Sequence, residues 1–312
     1  MKEPAFSVVV PLYNKGPHVL ATLTSILAQS CPPAEVIVVD DGSTDGGDER
    51  VAAIDHPAVR LLRRSPPGPG GYAARNLAIE AATSDWIAFC DADDLWAPDH
   101  LKSIQATIGA FDGRIGCVFA RTEIVEAQGR RPYRMDETLI PARTPLTRSD
   151  IVRAWIRTER CPLWTGATAM RRDLAIEAGL FPAGRARRGG DKDLWLRAVW
   201  RTRSAYTGRT TAEFHQNTVN RVTTSTAHVA LPVILETIGG LMADANADER
   251  ALLRRLGNLE LLLYARHAAG KGQVVGGDFL RRLHYPEGVP VAARIAAFKV
   301  LAPAMRAIRR SR

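Results

Sequence analysis

Cysteine is scarce. The four residues Cys31, Cys90, Cys117 and Cys161 lie far apart with no Cys-x-x-Cys pair, so neither a zinc knuckle nor a disulfide framework is expected. They read as reduced thiols. No apolar run reaches the roughly 18 residues that a bilayer-spanning helix needs, and residues 1–6 pass straight into a strand-like run without a leader pattern. These absences predict a cytoplasmic location. Acid is outnumbered by base, 33 Asp and Glu against 42 Lys and Arg, for a net charge of +9. That balance favours acidic partners such as phosphates, anionic lipid headgroups or nucleic acid. Aromatics make up 6% of the chain, and there is no Cys/His finger, RNA-recognition signature or basic stripe interleaved with aromatics, so nucleic acid is not expected.

What is present is β-α-β alternation through the first hundred residues, the pattern of an α/β fold with a largely parallel sheet flanked by helices. Residues 7–11 and 36–39 are continuous β-branched runs, as strands covered on both faces should be. Between them, 18–29 carries apolar residues at helical spacing. Further strands are predicted at 59–62 and 86–90, with a helix at 72–82. From residue 99 the pattern predicts a helix to 111, a strand at 116–120, a β excursion at 122–125, an irregular Arg- and Pro-rich stretch at 128–147, and helices at 173–178 and 194–200. Residues from about 231 read as helical. In open α/β sheets ligands bind beyond the carboxyl ends of the strands, and three successive strand ends here run into polar loops.

The sharpest motif is Asp91-Ala92-Asp93-Asp94, directly after the fourth strand. Three carboxylates in four residues repel one another unless a cation or hydrogen bonds stabilise them. Mg2+ and Mn2+ favour such hard oxygen ligands and bind through one or two carboxylates plus substrate phosphates. Alone, the pattern equally describes a solvated turn with a helix cap, the role left to Asp94. Asp40-Asp41-Gly42-Ser43-Thr44-Asp45, after another buried-type strand, adds a second carboxylate group at the same sheet edge.

The ordered set Val8-Val9-Val10-Pro11-Leu12-Tyr13-Asn14, Ser25-Ile26-Leu27-Ala28-Gln29, Glu35 through Asp45, Ala73-Ala74-Arg75-Asn76 and Phe89 through Asp94 resembles the family 2 glycosyltransferases, whose catalytic domain has the GT-A fold. The resemblance implies an inverting transfer from a nucleotide diphosphate sugar, commonly UDP-linked, to a hydroxyl of a glycan or lipid-linked acceptor. It implies that Pro11, Tyr13 and Asn14 wrap the nucleotide, Asp41 reads the base edge, Arg75 contacts the nucleotide and steadies the acidic loop, and Asp91 and Asp93 hold ribose and a divalent metal, Mn2+ or Mg2+. Asp93 is the metal ligand of first choice. Asp191, in Gly190-Asp191-Lys192-Asp193-Leu194-Trp195-Leu196-Arg197, takes the place of the general base, although Gly190 stands where the family pattern has Glu. Asp193 is the weaker candidate. Trp164, Gly166 and Trp195 are expected on the acceptor side, and His215 is a further candidate ligand for metal or diphosphate.

Gly68-Pro69-Gly70-Gly71-Tyr72-Ala73 fits a loose dinucleotide fingerprint, but it follows the third strand and its prolines stiffen the turn. Arg185, Arg187 and Arg188, bracketed by glycines, are either a phosphate-gripping lid or a solvated loop. No acid follows Glu287. Residues 291–312 carry six positive charges among apolar residues at helical spacing, which suits an anionic membrane surface at the inner face or a partner helix. The domain reading is 1–228 for the GT-A-like unit, with 1–100 for the nucleotide sugar and 101–228 for the acceptor, then 229–312 as a helical extension. Two rival functions are a sugar nucleotidyltransferase, which should carry a Gly-rich triphosphate loop that Pro11-Leu12-Tyr13-Asn14-Lys15 is not, and a non-catalytic nucleotide- or glycan-binding protein.

Overall fold

The computed structural model describes residues 3–111, 113–219 and 229–310, with side chains through residue 303 in the last of these. The predicted boundary at 228 and the last two residues of the basic tail lie outside them. The amino-terminal half runs β1 (Phe6–Leu12), α1 (Gly16–Leu27), β2 (Glu35–Asp40), α2 (Gly47–Ala52), β3 (Val59–Arg63), α3 (Tyr72–Ala81), β4 (Trp86–Phe89), β5 (Leu95–Trp96) and α4 (His100–Gly109). There follow β6 (Ile115–Glu126), β7 (Gly129–Pro132), α5 (Arg148–Thr158), β8 (Thr168–Arg171), α6 (Arg172–Glu177), α7 (Gly190–Val199) and β9 (Arg203–His215). The carboxyl-terminal helices are α8 (Ile234–Leu241), α9 (Ala247–Gly270), α10 (Asp278–Arg281) and α11 (Val289–Arg310).

One nine-stranded sheet has the order β3-β2-β1-β4-β8-β6-β9-β5, with β7 paired to β6. The first four of these are parallel; β8 then runs antiparallel to both neighbours, and β9 pairs parallel with β6. Alternation explains the continuous apolar runs. Val9, Ile37, Val39, Ile87 and Phe89 face one layer with α3, α5 and α7, while Val8, Val10, Val36, Val38 and Ala88 face the other with α1 and α4.

Because β1 has β2 on one side and β4 on the other, the chain reverses its winding direction between β1 and β4. A crevice opens at such a reversal, beyond the carboxyl ends of the strands. The loops after β1 and β4 border it.

The predicted α/β architecture with carboxyl-terminal helices is the one observed. The stretch read as irregular contains β7, and β6 extends to Glu126 as one curled strand. Helix α8 and the first half of α9 share the main core: Ile234, Ile238, Leu253 and Leu256 belong to the same buried cluster as Phe89 and Trp195, while the rest of α9 packs with α10 and α11 in a smaller cluster of its own. Two polar contacts reinforce this docking, a partly buried one from Arg148 Nε to Glu249 Oε1 at 2.6 Å and a buried one from Trp155 Nε1 to Glu260 Oε1 at 3.1 Å.

Candidate active site

The loops after β1 and β2 are tied together before any ligand is considered. Asn14, at φ 50°, receives the Thr44 N–H on its Oδ1 at 2.7 Å, and its own N–H donates to Ser43 Oγ at 3.0 Å. Asp45 accepts from the first amides of two helices, Gly16 at 2.8 Å and Gly47 at 3.0 Å. Asn14 is therefore a brace between two loops, with Pro11 in β1 beneath it and Tyr13 exposed beside it.

Asp41 is buried, and the Arg64 guanidinium and the Gly68 N–H, the latter at 3.1 Å, both bind its carboxylate. Arg64 carries no sequence signal of its own. It sits one residue past β3, and pairing of β2 with β3 delivers it to Asp41.

The three carboxylates of 91–94 occupy three distinct environments. Arg75, itself buried, binds Asp91 through Nη2 and the Gly70 carbonyl through Nη1 at 2.9 Å. Asp93 Oδ2 lies 2.5 Å from Lys15 Nζ and 2.6 Å from Thr218 Oγ1. Lys15 also donates to the Val219 carbonyl at 2.6 Å. Asp94 is buried behind the loop, where its Oδ1 accepts the His215 N–H at 3.1 Å and its Oδ2 has no hydrogen-bond partner among the described residues. Burial first, then the neighbouring Asp91 and Asp93 carboxylates, push Asp94 well above the usual carboxylate range. The repulsion expected from the sequence is thus relieved by two internal cations and one disfavoured ionisation. Asp94 precedes β5 and caps no helix.

Residues 165–167 form a tight turn behind this loop. A Cβ on Gly166 would come 2.9 Å from Asp94 Oδ2, and the Gly166 carbonyl accepts from Trp96 Nε1 at 2.7 Å. Trp164 packs against Phe214 and Tyr133, with ring centroids 4.5 and 5.2 Å away. Asp191, in the first turn of α7, is half-buried, with Thr165 Oγ1 3.5 Å from its Oδ2. The preceding Gly190 N–H donates to the Tyr72 hydroxyl at 2.9 Å, which sets the start of α7 beside α3 and brings Asp191 within electrostatic range of Arg75.

Three expected site residues point elsewhere. Asp193 is buried, with one oxygen held by Arg197 at 2.7 Å and the other by Thr237 Oγ1 at 2.5 Å; it ties α7 to α8. Trp195 is 0% exposed and packs edge-on against Phe89 and Phe181, one turn along α7 from Asp191, where the helix has entered the core. The His215 ring pairs with Glu213 Oε2 at 2.8 Å instead of joining the acidic loop. Sequence reasoning missed Lys15, Thr218 and Arg64.

For a metal, the chemistry of Asp93 and Asp91 fits a hard divalent ion that completes its shell with diphosphate oxygens and water. Among the described residues no three His, Cys, Asp or Glu side chains form a cage of their own.

Residues 7–178, more than half the chain, match the family described as Glycosyl transferase family 2. The chain belongs to glycosyl transferase family 2. The match ends before β9 and the carboxyl-terminal helices. Among its relatives, the succinoglycan biosynthesis protein ExoO of Rhizobium meliloti (strain 1021) is 38% identical over 130 residues, 41% of this chain and 36% of that protein. The amylovoran biosynthesis glycosyltransferase AmsB of Erwinia amylovora is 36% identical over 117 residues, 36% of this chain and 39% of that one. The matches thus span little more than a third of these relatives. Fold similarity runs further. S. aureus TarS residues 1–349, solved with UDP-GlcNAc, superimposes with a TM-score of 0.70 at 17% identity over 99% of this chain and 92% of its own. The mannosyltransferase PcManGT from Pyrobaculum calidifontis, solved with GDP-Man and Mn2+, gives 0.56 at 20% identity over 98% and 88%. Such identities establish the family 2 fold, GT-A in kind.

Proposed function

We propose that this family 2 protein transfers a sugar, with inversion, from a UDP-linked donor to a hydroxyl of a glycan or lipid-linked acceptor. The observation that carries this is the placement of Arg75: it grips Asp91 at the reversal point of the sheet and lies within electrostatic reach of Asp191. In this reading a donor-side and an acceptor-side carboxylate are set around the same arginine. The UDP and UDP-GlcNAc complexes of TarS favour a uridine donor, and the naming of relatives in succinoglycan and amylovoran synthesis favours a polysaccharide acceptor.

In this reading the loop of Pro11, Tyr13 and Asn14 encloses the nucleotide and Asp41 faces the base. Arg75 and Asp91 set the ribose and diphosphate. Asp93 holds a divalent ion, as the Mn2+ complex of PcManGT supports by analogy; such an ion offsets charge on the departing diphosphate. Asp191 takes the proton from the acceptor hydroxyl, for which it must be ionised and within hydrogen-bond reach. Trp164 and Gly166 border the acceptor side. Asp193 and Trp195 support α7 from within.

Calorimetry and turnover test these roles. Asp93→Ala should abolish Mn2+-dependent UDP binding, and unchanged metal-dependent affinity would remove Asp93 from the metal site. Asp191→Asn should keep UDP binding and lose transfer by at least about a hundredfold, the usual scale of a general base. Normal turnover in that variant would refute its assignment. Thermal shift against a panel of nucleotide sugars, with and without Mn2+, identifies the donor.

A further inference from the structure

Asp191 is followed directly by Lys192. A lysine ammonium beside a carboxylate that must accept a proton is a liability, because pairing the two stabilises the ionised acid and weakens it as a base. The structure gives Lys192 another partner. Its Nζ lies 2.9 Å from Oε2 and 3.0 Å from Oε1 of Glu260 on α9. Glu260 is 0% exposed and also accepts from Trp155.

A buried ion pair is weak evidence for stability, since apolar replacements of similar volume often serve as well or better. A fully buried carboxylate aimed at the lysine next to a catalytic acid therefore points to function. One helical turn along α9, Tyr264 contacts the residues that lead into Asp191. Its hydroxyl donates to the Arg188 carbonyl at 3.1 Å, and the Gly189 backbone lies so close that a Cβ there would sit 2.6 Å from that oxygen.

We propose that α9 completes the catalytic site: Glu260 draws the Lys192 ammonium away from Asp191 while Tyr264 fixes the Arg188 carbonyl, both acting as positioning residues. The proposal rests on Asp191 being the base. Thr165 contacts Asp191, and the other groups within electrostatic range of it are Tyr72 and Arg75 from α3, Tyr133 after β7, Cys161 before β8, Arg188 from its own loop and Tyr264 from α9. Their arrangement is untouched by exchanging Glu260 for glutamine, which keeps its shape and an acceptor for Trp155.

The test reads Asp191 without any substrate. The side-chain carboxyl carbon of Asp191, assigned by its loss in Asp191→Asn, is titrated by 13C NMR in the wild type, Glu260→Gln and the double variant Glu260→Gln/Lys192→Met. In Glu260→Gln the released lysine should lower the midpoint by about half a pH unit or more. The double variant should return it to the wild-type value. An unmoved midpoint in Glu260→Gln, or one that stays lowered in the double variant, overturns the proposal. Should Glu260→Gln fail to fold, the double variant, which buries no unpaired charge, still decides: a wild-type midpoint supports the proposal, and a clear rise shows that Lys192 already acted on Asp191. Turnover retained by Asp191→Asn would defeat the base assignment separately, leaving the NMR result standing.

Discussion

At the scale of residues, the acidic loop shows how carboxylates crowd together without a caged ion. Lys15 Nζ is the cation on Asp93, so the divalent ion proposed for Asp93 would have to compete with it. Two unit charges about 4 Å apart at a protein surface interact by roughly 4 kcal/mol at an effective dielectric of 20, and part of this is lost to the competitor. Lys15→Met should therefore raise the Mn2+ affinity of the nucleotide-free protein by about tenfold or more, read from free Mn2+ by electron paramagnetic resonance. Equal affinities would show that Lys15 yields its place without cost. The residues of this loop were legible because Asp91 and Asp93 belong to a motif with fixed order. Lys15 stood immediately after a quoted motif and still gave no signal, because its role depends on Thr218 and Val219, about two hundred residues away. Asp193 and Trp195 were misdirected for a related reason: a helix turns successive residues by about 100°, so Asp193 lies on the face opposite Asp191, and Trp195, on the Asp191 face, sits one turn further along α7 where the helix is buried in the core.

At the scale of elements, the amino-terminal turn of α7 depends on glycine. Gly189 has φ 72° and lies against the Tyr264 hydroxyl. Gly189→Ala should cost about 1–3 kcal/mol from the left-handed conformation and the clash, seen as a lower denaturant midpoint, with donor binding retained if the nucleotide half is unaffected. At the opposite end of the sheet, Glu35 joins three elements through Ser7, Thr83 and Arg60. Burial opposes its ionisation, but the hydrogen bonds from Thr83, Ser7 and Arg60 outweigh that and hold its carboxyl down to about 2 from the usual 4.5. Its folded value lies below its unfolded one, so the stabilisation is complete above about pH 4.5 and is lost as the pH falls towards about 2. Urea midpoints against pH should fall across this window in the wild type and more gently in Glu35→Gln. Parallel slopes would assign the acid sensitivity to other groups. Strands β1, β2 and β4 were legible to within a residue or two because burial on both faces demands unbroken apolar runs. Strand β9 was not, since Arg209, Thr210, Thr211 and Glu213 break both apolar continuity and simple alternation. Its pairing with β6 shifts register three times, which masks the period of two on which strand recognition rests.

At the scale of the whole molecule, the basic tail divides its apolar residues between two tasks. Ile295 is fully buried and Phe298 packs with it against the α9 cluster, whereas Val300 and Leu301 are 79% and 54% exposed. No helix among the described residues is long and apolar enough to cross a membrane. Surface contact is proposed through this exposed pair and the basic charge around it. Cosedimentation with phosphatidylglycerol vesicles should drop severalfold in Val300→Asp/Leu301→Asp, with an unchanged thermal midpoint. Undiminished binding would assign the tail to packing or to a protein partner. Removing residues 291–312 outright is a poorer experiment, because it strips Ile295 from the core.

Strand β5, which follows the acidic loop, pairs with β9, itself more than a hundred residues later in the chain. The first hundred residues are therefore not a cassette that can be cut out and grafted onto another carboxyl-terminal part. A chimera built at that seam would leave Leu95 and Trp96 paired with a foreign strand, and Asp94 without the amide of His215. Exchange of specificity between family members should instead keep the strands and helices of residues 1–215, β7 included, from one parent and vary only the loops between them at 134–141 and 184–189, leaving the strand ladder of a single origin.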